Sequence, residues 1–450
     1  MKDKIQAFYQ KSLGKPFKNK EGWENEFKKR KWSVFLTITF GYGFYYVCRL
    51  SFNVIKKPLI DAGVFDAAQL GQIGSAMFFA YAFGKLTNGI LADRVNVRRF
   101  MATGLLVSGL VNIALGFVSV FWVFVVLWGI NGWFQSFGAA SSVVALSRWT
   151  KAKERGSFYG IWSSSHNIGE AITFIGTAVV VTSLGWIWGF GVSGLLGILM
   201  GLLILRYLYE HPGIYGLDRN IVDNEDNKKN ISNLQWAVFK NPAIWVLALS
   251  SACFYVTRYA VNSWGIFFLE TEKGYSTIEA GSIISVNSVV GIAGTFFSGL
   301  LSDKFFKGRR NVPALIFGVI YTGSIALFSL GPANVIWDTI SMVLFGLSLG
   351  VLLVYLGGLM AVDIFPKEVS GTVLGIIGIA SYLGAGIQDI LSGYFIESGK
   401  RAVEGNIVYD FSTVVIFWIG ASLISIVLAL FVWNSKPHVE IIVDPVEKDL

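Results

Sequence analysis

Little of this 450-residue chain is charged and almost none of it carries sulfur or imidazole, and each shortage excludes a class of function. Two cysteines are present, Cys48 and Cys253, both inside apolar segments, so there is neither a disulfide framework nor a metal-ligand spacing. No nucleophile, base and acid are spaced for catalysis: Ser165 and His166 are neighbours in sequence whose side chains diverge on a helix, so no enzyme, metal or cofactor is expected. Charged residues make up 15% of the chain against 54% hydrophobic, which excludes an ordinary soluble globular protein and fits a polytopic membrane protein. The net charge of +8 does not point to nucleic acid, because the charges lie between apolar stretches and form no basic face interleaved with aromatics. Residues 1–31 are lysine-rich and lack a short apolar core with a cleavage site. No removable signal peptide is expected, and the first membrane helix would do the targeting.

What is present is a series of apolar runs, each near the length of about 20 residues needed to cross a bilayer. Twelve are expected, at 33–55, 70–92, 100–119, 122–148, 156–181, 185–207, 241–269, 277–301, 311–330, 335–362, 370–396 and 411–433. Phe100 to Ser147 holds no charge at all, so it must contain two helices and their turn. An even number of spans puts both termini on one side. With that side inside, the inner segments hold 29 Lys and Arg, and the outer loops hold five: Lys56, Lys57, Lys273, Lys400 and Arg401. The expected division is a basic inner tail over 1–31, a six-helix bundle over 32–208, a polar inner linker over 209–240, a second six-helix bundle over 241–434 and an inner tail over 435–450.

The two bundles are related. Phe44-Tyr45-Tyr46-Val47-Cys48-Arg49 is echoed 209 residues later by Cys253-Phe254-Tyr255-Val256-Thr257-Arg258. Gly89-Ile-Leu-Ala-Asp93-Arg94 is echoed at an offset of 210 by Gly299-Leu-Leu-Ser-Asp303-Lys304. Arg49, Arg258 and Lys85 are the basic residues left inside spans. Each costs roughly 2.5–3.5 kcal/mol at the centre of a membrane helix, so they mark function. The available buried acids are Glu170 and Asp389, too few to neutralise three cations. An anion site between the bundles follows, and arginine suits a phosphate because its planar fork donates two parallel hydrogen bonds. His166 is the one histidine in a span, with Glu170 four residues on, placed to stabilise its protonated form. Tyr42, Tyr46, Tyr255 and Tyr382 are candidates to offer hydroxyls to the ligand, with Gln135, Ser163, Gln388 and Asp389 as further lining.

The sequence resembles the organophosphate:phosphate antiporter family of the major facilitator superfamily along residues 32 to 434. Gly89-Ile-Leu-Ala-Asp93-Arg94-Val-Asn96-Val-Arg98-Arg99 matches the superfamily, while Tyr45-Tyr46-Val-Cys-Arg49, Tyr81-Ala-Phe-Gly-Lys85, Glu154-Arg-Gly156, His166-Asn167 and Arg258-Tyr259 match the family. The resemblance implies that Arg49 and Arg258 hold the substrate phosphate, that Lys85 and His166 assist, and that Tyr42, Tyr46, Tyr255 and Tyr382 line the site. Three charged positions of the glycerol-3-phosphate type are the neutral Leu50, Ser263 and Ser288 here, so that type's ion-pair network is expected to be absent. Helix 4 reads Ala139-Ala-Ser-Ser142 where Trp-Pro motifs are common, and Glu170 stands where glycine is usual.

The expected fold is therefore all-α, with twelve membrane helices in two six-helix bundles related by a pseudo-twofold repeat. The expected activity is exchange of a hexose 6-phosphate such as glucose-6-phosphate for inorganic phosphate by rocking of the bundles. Glycerol-3-phosphate exchange is one alternative, and a transporter-like receptor for external hexose phosphate that signals to a sensor kinase is another. The inner side would close through Asp93, Arg94, Arg98 and Arg99 of the first half, with Asp303, Lys304, Arg309 and Arg310 of the second. A monomer in a bacterial inner membrane, with both termini cytoplasmic, completes the expectation.

Overall fold

The computed structural model describes residues 22–215, 228–306, 310–365, 369–404 and 406–433. Among these, twelve long helical rods run in chain order. The first six are α1 (Trp23–Asp61), α2 (Ala67–Arg94), α3 (Val97–Leu115), α4 (Phe121–Trp149), α5 (Ala152–Ser163 continued by Ser165–Leu184) and α6 (Trp186–Tyr207). The second six are α7 (Pro242–Thr271), α8 (Thr277–Leu300), α9 (Asn311–Leu330), α10 (Val335–Ile364), α11 (Ser370–Ser398) and α12 (Ser412–Phe431). Ten of the rods are long and apolar enough to span a membrane by composition alone. The other two, α1 and α2, are diluted by the arginine, lysines, tyrosines and glycines that build the centre of the molecule.

Local chemistry sets the ends. Asp66 accepts from the Gln69 amide and Gln69 answers in a capping box, which starts α2. Ser276 and Glu279 do the same for α8, and Asn241 ahead of Pro242 starts α7. Gly185, at φ +88°, turns the chain between α5 and α6. α1 extends about three turns beyond the expected span on its N-terminal side. Residues expected as tail therefore become helix: Phe27 stacks on Trp23 and Trp149, and Lys31 pairs with Glu154 at 2.6 Å. Residues 1–21 and 434–450 lie outside the described residues. The expected polar linker contains a short 3-10 turn, Pro212–Tyr215, and a linker helix, Lys228–Lys240. A two-stranded antiparallel hairpin, β1 (Lys400–Val403) and β2 (Asn406–Tyr409), joins α11 to α12 with Lys400 opposite Tyr409, a small addition to the helical expectation.

The repeat holds in packing detail. In the first bundle Gly132 of α4 presses on the Met77 carbonyl of α2, and in the second Gly346 of α10 presses on the Asn287 carbonyl of α8. A side chain at either glycine would overlap backbone, so close approach of small residues sets both helix pairs. The bundles meet along α2 with α11 and α5 with α8. At the face opposite the termini, the far face, Gly71 and Gly393 let α2 and α11 touch backbone to backbone, and Gly281 of α8 sits against the Phe174 carbonyl of α5. Toward the terminal face the helices part: Gly89 of α2 and Gly371 and Gly375 of α11 have open space around them. The bundles thus seal at the far face and open toward the terminal one.

Gly132→Val and Gly346→Val should each lower stability by at least about 3 kcal/mol, at the upper end of overpacking costs because the obstacle is backbone. Thermal unfolding in detergent, compared with Gly129→Val at a loosely packed position of α4, measures it.

Candidate functional site

The centre of the molecule is two guanidinium groups inside a box of tyrosines. Arg49 of α1 is 2% exposed and Arg258 of α7 is 3% exposed. Arg49 Nη2 donates to the Tyr259 hydroxyl at 3.1 Å, and its guanidinium lies 4.5 Å from the Tyr81 ring and 5.3 Å from the Tyr382 ring. Arg258 lies 5.4 Å from the Tyr255 ring and 5.5 Å from that of Tyr259. Among the described residues neither arginine forms an ion pair within 4 Å, and the Nε–H of each has no partner. Aromatic faces give these cations partial electrostatic relief without using up their hydrogen-bond donors.

The expected lining residues separate into two groups. Tyr42, Tyr46, Tyr255 and Tyr382 belong to the box: Tyr42 packs against Tyr46 at 5.5 Å, and Tyr255 against Tyr382 at 5.5 Å. His166 of α5 joins it, with its ring 5.5 Å from Tyr46. It follows a break in α5 where the hydroxyls of Ser163, Ser164 and Ser165 bond back to the carbonyls of Gly160 and Trp162, which is how a serine run bends a helix. Ser163 is thereby committed to its own helix. Lys85 of α2 is exposed toward the open side, with Nζ 5.5 Å from the Tyr382 ring and against Gly378 of α11. Gln135 is engaged within its own bundle. Its amide donates to Ser108 inside the first bundle, just as Gln388 donates to Ser392 inside the second.

Glu170 and Asp389 depart from expectation. The Glu170 carboxylate receives the Asn262 side chain from the opposite bundle and forms no ion pair with His166. Asp389 is engaged through one oxygen: its Oδ1 accepts from Lys56 at 3.0 Å, Ser263 at 2.7 Å and Trp264 Nε1 at 2.6 Å, while its Oδ2 is buried without a partner. Lys56, expected in an outer loop, is fully buried inside α1 and sits 3.7 Å from the Trp264 ring. The positions Leu50, Ser263 and Ser288 carry no charge, and a pair at other positions, Lys56–Asp389, joins the bundles. Gly74 of α2 makes room for the Asp389 carboxylate.

Two features explain why Lys56, Asn262, Ser263 and Trp264 escape a reading of the sequence. Ala260–Trp264 is a π-helical turn directly after Arg258-Tyr259, and it redirects three side chains toward the other bundle, as such turns do at working sites. Lys56 did leave a trace, since Arg49, Asn53 and Lys56 follow at i, i+4 and i+7 on one face, and Asn53 donates to the Asn262 carbonyl. Tyr81 leaves a similar one, four residues before Lys85. The hydrogen bonds that join the bundles include Arg49–Tyr259 within the box and continue on its far side through Asn262–Glu170 and Lys56–Asp389 to Ala67–Glu397.

The inner-side residues occupy another level. Arg94 and Lys304 are exposed, and Arg98 and Arg99 are half-buried. Arg310 pairs with Asp363 of its own bundle at 2.8 Å. Arg309 and the side chains of Asp93 and Asp303 lie outside the described residues.

The pattern of the Major Facilitator Superfamily matches residues 35–388. The chain is 31% identical over 440 residues, 92% of its length and 93% of the relative's, to a probable hexose phosphate transport protein of Chlamydia muridarum. The chain belongs to the major facilitator superfamily, in its organophosphate:phosphate antiporter group. It is also 31% identical, over 79% of its length and 83% of the relative's, to the membrane sensor protein UhpC of Salmonella typhimurium. It is 29% identical, over 92% and 95%, to a glycerol-3-phosphate transporter of Bacillus subtilis. Among solved structures it resembles a bacterial homologue of the human lysosomal transporter Spinster in an inward-facing, unoccupied conformation. There the TM-score is 0.72 at 17% identity, with 91% and 97% of the two chains covered, a likeness of fold alone. The superfamily makes this a multi-pass membrane transporter and not an enzyme.

In a superfamily whose bundles rock about a midplane site, the Lys56–Asp389 pair sits where the far side must open. Asp389→Asn should destabilise the sealed form by about 3–5 kcal/mol, because it strands a buried cation, whereas Lys56→Met combined with Asp389→Asn should recover most of that. With Cys48 and Cys253 replaced by alanine, alkylation of Phe78→Cys by an impermeant reagent added at the far face reports the seal. The single variant should react faster and the double variant close to the parent rate.

Proposed function

We propose that the protein exchanges a phosphorylated sugar, a hexose 6-phosphate such as glucose-6-phosphate, for inorganic phosphate across a bacterial inner membrane, with both termini cytoplasmic. The observation that carries this reading is the uncompensated charge of the box. Lys56 and Asp389 neutralise each other, which leaves Arg49, Arg258 and Lys85 against Glu170, a surplus of two positive charges around a site shared by both bundles. A phosphate dianion matches that surplus, and the two forks with free Nε–H groups supply the donors it takes up. The tyrosine hydroxyls and His166 then face the organic part.

Exchange follows from the same surplus. Rocking an empty site through an occluded, low-dielectric state would carry two uncompensated charges, whereas a bound phosphate removes them. Return of the carrier therefore requires an anion on the other side. The loops bearing Asp93, Arg94, Arg98, Arg99, Asp303, Lys304, Arg309 and Arg310 would close the cytoplasmic face in the opposite state, and a monomer suffices, since the site is complete within one chain. A hexose ester is favoured over glycerol-3-phosphate by the likeness to the chlamydial hexose phosphate proteins. The likeness to UhpC supports a second reading, a sensor that binds hexose phosphate and signals to a kinase partner.

Liposomes containing the purified protein and loaded with phosphate distinguish these readings. Labelled glucose-6-phosphate should enter only when phosphate is inside and faster than labelled glycerol-3-phosphate. Arg49→Lys and Arg258→Lys should each reduce entry about 10- to 100-fold, because a point charge replaces a bidentate fork. Phosphate efflux that runs equally fast with no anion outside sinks the exchange mechanism, and binding without entry selects the sensor.

A further inference from the structure

The linker helix Lys228–Lys240 has no part in the site, yet its two sides are strongly unequal. Leu234 and Val238, one turn apart, face the protein, and Val238 is 1% exposed. Trp236 and Phe239 face away, at 64% and 43% exposed. They continue into an aromatic row: Trp236 and Phe239 rings lie 6.1 Å apart, Phe239 and Trp245 rings 6.4 Å apart, and Trp245 Nε1 donates to the Phe239 carbonyl at 2.9 Å. Trp245 is already in the first turn of α7, on its lipid-facing side at 52% exposed. The row is therefore continuous with the hydrocarbon-facing surface of a membrane helix, and its depth is tied to where α7 enters the bilayer. The helix contains Lys228, Lys229 and Lys240 and no acid.

We propose that Lys228–Lys240 is an interfacial helix that seats Trp236 and Phe239 in the headgroup–acyl boundary and that its basic, acid-free composition, with Lys240 exposed beside the row, draws it to anionic phospholipid. Tryptophan belongs at that depth because its ring is apolar and its N–H polar, and basic residues beside an apolar face are the signature of a helix lying in the membrane plane. Each lysine near an anionic surface contributes roughly a fivefold gain in binding. The helix connects the first bundle to α7, so its attachment to the surface holds the link between the halves at a fixed depth. Lipid is favoured over a protein occupant by the continuity with α7 and by the basic charge without acid.

The full-length protein tests this in vesicles. With Cys48 and Cys253 replaced by alanine and a bimane fluorophore on Trp236→Cys, quenching by bromine in lipid acyl chains is compared with quenching by iodide in water, in phosphatidylcholine alone and with added phosphatidylglycerol. Acyl-chain quenching should exceed iodide quenching, and phosphatidylglycerol should raise it at least about twofold. Lys228→Gln, Lys229→Gln and Lys240→Gln together should abolish that rise while leaving thermal unfolding unchanged. Strong iodide quenching in both lipids, or no quenching by either agent, would overturn insertion, the second outcome pointing to a protein partner on the row. A phosphatidylglycerol effect that survives the triple substitution would overturn the role of the lysines.

Discussion

A cation in a membrane helix must be paired, screened or left open to water, and this molecule does each of these at a different depth. Lys56 is paired outright by Asp389. Arg49 and Arg258 are screened by tyrosine faces, which lowers the cost of holding a charge without satisfying its donors. Lys85 stays exposed on the open side. Moving from the far face toward the terminal face, the structure passes from a cancelled charge, through two charges screened by rings, to one that is exposed. That order leaves the Nε–H of each arginine without a partner.

Much of this arrangement was written in the sequence. The apolar runs carry the helices, and the echo of Arg49 by Arg258 places one cation at the same depth in each bundle. Periodicity of 3.6 residues and hydropathy survive in any straight helix, so these parts were legible. What was not legible depends on departures from straight helix. The π-helical turn at Ala260–Trp264 shifts the register that would assign Asn262, Ser263 and Trp264 to a face. Charge counting by loop placed Lys56 outside, because a lysine near the end of an apolar run looks like a topology signal until a partner is known. That partner, Asp389, lies 333 residues away. The same misassignment hid the partner of Asp389, whose Oδ1 is engaged by Lys56, Ser263 and Trp264.

The seal and the site are built from adjacent turns of the same two helices. On α1, Arg49 belongs to the box while Asn53 and Lys56 belong to the seal; on α7, Arg258 and Tyr259 belong to the box while the following π-turn belongs to the seal. Any movement that draws the Arg49 and Arg258 turns toward each other would therefore act on helices whose next turn holds the far side shut. The Arg49–Tyr259 hydrogen bond stands at the junction: it links the halves through a neutral hydroxyl acceptor, which a charged acceptor would outcompete for the guanidinium.

This arrangement bears on why the pair Lys56–Asp389 is ionic and not apolar. An apolar contact between α1, α7 and α11 would seal as well at lower desolvation cost. It would not fix register, however, whereas Lys56, Ser263 and Trp264 converging on one carboxylate oxygen admit a single alignment of three helices from two bundles. When the far side opens, those donors and that carboxylate enter water together, so much of the electrostatic attraction lost on separation returns as hydration. A seal of charges is thus both specific when closed and easy to leave when wet, which is what a carrier that must alternate between two states requires.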